Sequence, residues 1–190
     1  MVARQAGEER RRQIAEATLR IIARDGLGKF TAAAVANEVG IADGTIFRHF
    51  DSMEAVVNAA IDLLVEKLQE GIPDERPDPL DRLGAFLRHR FALITTQPAI
   101  LKLFFSDQLA QAAGAAGVEK IRRVQLASMA FIRSCVDEAR KEKRLRADLG
   151  ADELTVIIQG TVLGELLRFT QSGVTPDANA GRRAARLWKT

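Results

Sequence analysis

The stretch Thr31–Phe50, TAAAVANEVGIADGTIFRHF, decides how this chain folds. Thr31 is a good helix N-cap, and Ala32, Val35, Ala36 and Val39 follow at the three-and-four spacing of one apolar helical face. Gly40 supplies the residue most tolerant of the left-handed backbone angle at which helices stop. Ile41 then returns to the core, and Ala42 or Asp43 opens a second helix. Because Ala42 has no side-chain acceptor, Asp43 is the expected cap. Ile46, Phe47 and Phe50 give this second helix an inner side, leaving Gly44, Thr45, Arg48 and His49 mostly outward. Two short helices joined by a tight turn form the layout of a helix-turn-helix, which lays its second helix in the major groove of DNA.

With those residues in place, the chain resembles the TetR-like family of transcriptional regulators. The family signature runs T, three residues, V/I-A, two residues, A/V-G-V-S, one residue, G-T-L/I-Y/F, one residue, H-F. Here it reads Thr31, Val35-Ala36, Val39-Gly40-Ile41-Ala42, Gly44-Thr45-Ile46-Phe47 and His49-Phe50, without a gap. Upstream, Ile14, Ala17, Thr18, Ile21 and Ile22 form the stripe of a first helix closed by Asp25-Gly26; downstream, Asp51-Ser52-Met53-Glu54 begins a fourth. Three positions depart from the pattern. Met53 stands where the family usually has a lysine, removing one cation that would contact the DNA backbone. Phe47 stands where tyrosine is commoner, removing a hydroxyl, and Ala42 replaces the usual serine cap.

The 190 residues are enough for one or two domains with a substantial core, and 47% of them are apolar. No apolar run reaches the roughly 18 residues of a spanning helix, and the N-terminus lacks the apolar core of a signal peptide. A single cysteine, Cys135, excludes an intrachain disulfide framework and fits a reducing cytoplasm. The net charge of +3 is compatible with DNA binding without arguing for it, so the placement of charge matters more. Arg4, Arg10, Arg11 and Arg12 crowd the N-terminus, either as a mobile arm near phosphates or as a solvated tail. The basic run Arg140 to Arg146 follows Asp137-Glu138 at a helix end, where cations suit the negative end of the dipole.

Pattern and composition predict an all-α fold of about nine helices, over 8–25, 31–38, 42–49, 53–70, 80–95, 98–112, 118–145, 151–171 and 177–188. The division is a helix-turn-helix head over residues 1–50 and a linking helix plus larger helical body over 51–190. The helix at 151–171 is apolar on two sides, and Gly160 and Gly164 permit close helix–helix approach. The resemblance places the last two long helices in a dimer interface, here through Val156, Gly160, Leu163, Gly164 and Leu167; burial within one chain is the alternative.

For the head, the DNA-binding candidates are Thr31, Ala32, Ala42, Asp43, Gly44, Thr45, Phe47, Arg48 and His49. Arg48 is suited to guanine O6/N7, although a lone arginine serves equally as a phosphate clamp or a solvated charge. Phe47 can press on a thymine methyl or a sugar, and His49 can donate to a phosphate. In the body, the resemblance implies an effector pocket. Its candidates are Phe86, His89, Arg90, Phe104, Phe105, Gln108, Gln125, Met129, Ile132, Ile158 and Thr161, although most bulky apolar residues here serve as plain core. The expected partners are double-stranded operator DNA, a small hydrophobic effector with at most one anionic group, and a second copy of the chain. No membrane, metal or cofactor is expected.

An enzyme is the first rival class. The chain has only His49 and His89, with no phosphate-binding loop, nucleophile elbow or metal-ligand spacing, so no catalytic residue is assigned. The second rival is a helical small-molecule carrier without specific DNA binding.

Overall fold

Caps and glycines punctuate this chain at nearly every helix boundary. The computed structural model describes residues 2–70, 72, 78–97, 107–145 and 148–172. Within them lie α1 (Val2–Asp25), a short 3-10 turn (Leu27–Lys29), α2 (Ala32–Val39), α3 (Asp43–His49), α4 (Met53–Gln69), α5 (Pro79–Thr96), α6 (Asp107–Lys141) and α7 (Ala151–Ser172). There is no strand among the described residues. The expected helix at 177–188 lies outside them.

The helix boundaries follow local chemistry. Thr31 caps α2, its side chain accepting from the Ala34 amide at 3.1 Å. Ser52 caps α4 through the Ala55 amide in the same way. Asp78 accepts from the amides of Leu80 and Asp81, and Pro79 takes the first helical position, where its missing N–H costs nothing. At the far end of α6, Lys143 sits at φ 58°, and the Arg144 amide returns to the Ala139 carbonyl. That closure satisfies a last-turn carbonyl, and a non-glycine residue carries the left-handed angle.

Three expectations change. The N-terminal arginines are not an arm, because α1 begins at Val2 and carries Arg10, Arg11 and Arg12 as helical residues. The helices expected at 98–112 and 118–145 meet within α6, interrupted only at Gly114, whose φ of 61° and ψ of −175° are non-helical. Residues 98–106 lie outside the described set. At α3, the cap position is Ala42 without a side-chain bond, and Asp43 is the first helical residue.

The chain divides into two compact units, Met1–Glu66 with Gln97–Arg122, and Lys67–Thr96 with Arg123–Thr190. In the first, Ile14, Ala17, Ile21, Val35, Ala36, Ile46, Phe50 and Val56 form one buried cluster. The isoleucine, valine and phenylalanine side chains among them contribute about 1.5–3 kcal/mol each when fully buried, which is what holds the short helices α2 and α3 that could not persist alone. Met53, the residue standing in place of the family's lysine, packs against this cluster. On α4, Asn58 donates to the Ala113 carbonyl at 2.8 Å, and Asp62 pairs with Lys120 of α6 at 2.6 Å.

In the second unit, Leu83, Phe86, Leu87, Phe91 and Ile94 of α5 are buried, as are Ile132, Cys135 and Val136 of α6 and Ile158 of α7. The rings of Phe86 and Phe131 lie 5.0 Å apart. Burial pushes the Cys135 thiol above its ordinary value, which leaves it a core residue rather than a nucleophile. No helix among the described residues is long and apolar enough to cross a membrane.

Candidate nucleic-acid interface

Gly40 makes the turn of the head. Its φ of 75° and ψ of 40° are left-handed, and the Ile41 amide reaches back to the Ala36 carbonyl at 3.0 Å. This closure ends α2 within one residue and turns the chain so that α3 can begin at Asp43. The Thr45 amide donates to the Ala42 carbonyl at 2.9 Å, and the Asp43 carboxylate accepts from the Gly44 amide at 2.8 Å.

Two faces of α3 follow from its sequence spacing. Ile46 and the capping residue Phe50 are buried, at 0% and 2% exposure. Ala42, Asp43, Gly44, Phe47 and Arg48 are exposed, while Thr45 and His49 are half-buried. Phe47 was expected on both sides of the question; at 53% exposure it belongs to the outer face, not the inner one. Helix periodicity groups residues 43, 44, 47 and 48 on one side, adjoining the stripe of Ile46 and Phe50, with Arg48 the farthest from it. Thr31 is exposed and Ala32 half-buried at the start of α2, where first-turn amides beyond the one taken by Thr31 point out of the helix end.

Ion pairs brace the two helices behind this face. Arg20 and Arg24 of α1 reach Glu38 of α2 at 3.2 and 3.1 Å. The hydrogen bonds from Arg24 and then Arg20 hold the Glu38 carboxyl below its ordinary value, and Arg24 is raised in turn. Arg11 of α1 donates to the main-chain carbonyl of His49, and its guanidinium carbon lies 4.2 Å from the centre of the Phe50 ring. Sequence reasoning missed this contact. The signal was the extension of the Ile14, Thr18, Ile21 stripe by one turn, which puts Arg11 on the same side of α1. It also passed over Lys29, an exposed cation on the 3-10 turn just ahead of Thr31.

The effector candidates scatter more widely. Phe86, Ile132 and Ile158 are buried. His89 donates through Nε2 to the Lys67 carbonyl at 2.8 Å. Arg90 donates to the Leu68 carbonyl at 2.7 Å and to Ser128 Oγ at 3.2 Å, with its guanidinium 4.4 Å above the Phe86 ring. Burial pushes its pKa down to about 10. Both residues therefore cap the last carbonyls of α4 from α5. Thr161 is half-buried and donates to the Ile157 carbonyl. Gln125 and Met129 are exposed on α6. The side chain of Gln108 and all of Phe104 and Phe105 lie outside the described residues.

Of the residues expected at an interface between copies, Val156, Leu163 and Leu167 are exposed on α7, and a Cβ added at Gly160 or Gly164 would meet nothing within 4 Å. Ile157 adds to the same exposed apolar surface. Among the described residues no group of three or more His, Cys, Asp or Glu could hold a metal ion.

Comparison with known proteins bears on the head first. Residues 14–60 match the family model of bacterial regulatory proteins, tetR family. Over nearly its whole length the chain is similar to the HTH-type transcriptional regulator BetI of Paraburkholderia phytofirmans, 27% identical over 187 residues that cover 94% of this chain and 90% of that one. In fold it is similar to a TetR transcription regulator from Haloarcula marismortui, with a TM-score of 0.77 at 19% identity over 95% of this chain and 96% of that one. It is also similar to AibR, solved in complex with isovaleryl coenzyme A and operator DNA, with a TM-score of 0.72 at 18% identity over 94% and 97%.

Proposed function

We propose that this chain, whose residues 14–60 match the family model of bacterial regulatory proteins, tetR family, is a TetR-like repressor that binds a palindromic operator as a homodimer and is released by a small hydrophobic effector. The observation that carries the reading is the outer face of α3, where Gly44, Phe47 and Arg48 are exposed while Ile46 and Phe50 fasten the helix from behind.

On DNA, α3 enters the major groove. Arg48 reads guanine O6/N7, a contact worth about 1–3 kcal/mol of discrimination. Gly44 lets the backbone come close, Thr45 offers its hydroxyl and methyl, and Phe47 presses on a thymine methyl or sugar. His49 and the α2 N-terminus at Thr31 and Ala32 take phosphates, the latter through outward amides and the positive end of the helix dipole. The exposed apolar face of α7 supports a dimer, whose two heads meet half-sites about one helical turn apart or a multiple of it.

The head over 1–50 is the reading module, and 51–190 carries the sensor and dimerisation surfaces. The effector is largely apolar with at most one anionic group; AibR, a protein of this fold, holds a short acyl group on coenzyme A. Effector binding favours a head spacing that no longer fits the operator, so it shifts population between two states rather than blocking α3.

The test begins by enriching genomic fragments with the purified protein, followed by mobility shift on the recovered DNA across a salt series. Thr45→Ala, Arg48→Ala and His49→Ala together should abolish specific binding. Unchanged binding by that triple variant would refute the assignment of α3.

A further inference from the structure

We propose that Arg11 is a positioning residue, a clamp from α1 that holds the C-terminal end of α3 in its reading orientation. The inference rests on the reading of α3 as the DNA-contacting helix. It adds a residue that need not touch DNA at all.

The argument starts from the shortness of α3. Seven residues make too few internal hydrogen bonds to hold a helix without outside support. Its core attachments, Ile46 and Phe50, sit four residues apart on one side. They anchor the side chains of the last turn and leave its terminal carbonyls, which have no helical donor, to be held by something else. That last turn carries Arg48 and His49, two of the residues proposed to meet DNA.

Arg11 supplies the missing hold in two ways. It donates to the carbonyl of His49, one of the last carbonyls that a helix leaves without an internal partner. A cation there also faces the negative end of the helix dipole. Its guanidinium carbon sits 4.2 Å from the centroid of Phe50, a ring that is almost fully buried. The ring is rigidly placed by the core, so the stacked guanidinium inherits that rigidity and passes it to the His49 carbonyl. A planar group with several donors can stack and donate together; an ammonium cannot reproduce both. Arg11 itself is exposed, so a direct phosphate contact is the competing role.

Two variants separate the roles: Arg11→Met keeps the stem and removes the charge, and Arg11→Lys keeps the charge and removes the planar fork. Hydrogen exchange in the free protein comes first. The clamp predicts that α3 and Phe50 amides exchange about tenfold faster in Arg11→Met, with α4 amides unchanged. The fragment enriched by the unaltered protein is then titrated across a salt series. The clamp predicts about tenfold weaker binding by both variants at every salt concentration, with an unaltered salt slope. A phosphate contact predicts instead that the slope shrinks by about 0.9 in Arg11→Met and that Arg11→Lys restores both slope and affinity.

Wild-type exchange at α3, or rescue by lysine, overturns the clamp. A fragment search that yields no specific DNA for the unaltered protein sinks the operator reading instead, and the exchange measurement still decides whether Arg11 holds α3.

Discussion

Asn58 donates its side-chain amide to the main-chain carbonyl of Ala113, 2.8 Å away, across 55 residues of sequence. The bond sits where α6 breaks its helical path at Gly114, so the carbonyl that the break releases finds its donor on α4. Gly114 has φ 61° and ψ −175°, a region open essentially to glycine alone. An added Cβ would also run into the Glu54 carboxylate. Gly114→Ala is therefore expected to destabilise the protein by about 1–3 kcal/mol in urea unfolding. A loss below a few tenths would show that the break is not required.

Lys143 offers the opposite case. It takes the left-handed angle that closes α6, at φ 58°, where a β-carbon is strained and glycine is not. Lys143→Gly is expected to raise stability by about 1 kcal/mol, read as a higher unfolding midpoint at constant slope. A lower midpoint would mean that the lysine side chain makes a compensating contact.

Thr31 holds the start of α2 through the Ala34 amide. Thr31→Ala should cost about 1 kcal/mol of stability, whereas Thr31→Ser should cost much less, because serine offers the same acceptor. Differential scanning of the three proteins checks the order. Equal melting for alanine and serine would rule the cap out as a contributor.

Glu38 sets an acid limit on the head. Its carboxyl is held below the ordinary 4.5 by Arg24 and then Arg20, so the folded protein keeps it charged where the unfolded chain takes up a proton. Its contribution is fully present above about pH 4.5 and is lost as pH falls through the lower folded value. The stability gap between the unaltered protein and Glu38→Gln should narrow from near-neutral pH to well below 4.5. The gap is modest at any pH, because Arg20 and Arg24 are exposed. A constant gap would refute the linkage.

Leu163 tests the pairing of chains. It is exposed on α7 beside Gly160 and Gly164, so Leu163→Glu should leave the fold of one copy intact. A charge placed in an apolar interface without a partner is strongly unfavourable, so if α7 forms the proposed dimer, sedimentation should show dimers for the unaltered protein and monomers for the variant. A dimer that survives the change would move the interface elsewhere.

The head was legible in the sequence because each of its signals acts within a few residues of where it is written. Thr31 reaches three residues, Gly40 closes the helix just before it, and Ile46 and Phe50 share a face by helical repeat alone. Phe47 was ambiguous for the same reason: its side of α3 lies at the margin of the apolar stripe, and only packing could expose it. His89 and Arg90 read as polar lining of a pocket, because sequence shows a polar group without showing its partner; in the structure they hold the Lys67 and Leu68 carbonyls.

What local signals determined, then, was an all-helical chain with a helix-turn-helix and the outward placement of Gly44 and Arg48. Only the tertiary structure decided that Arg11, within α1, meets the end of α3, that Met53 joins the core, and that Asn58 serves the break at Gly114. The physical reason is separation along the chain. Arg11 meets His49 across 38 residues and Asn58 meets Ala113 across 55, and no spacing rule spans such distances; the fold must first bring the helices together.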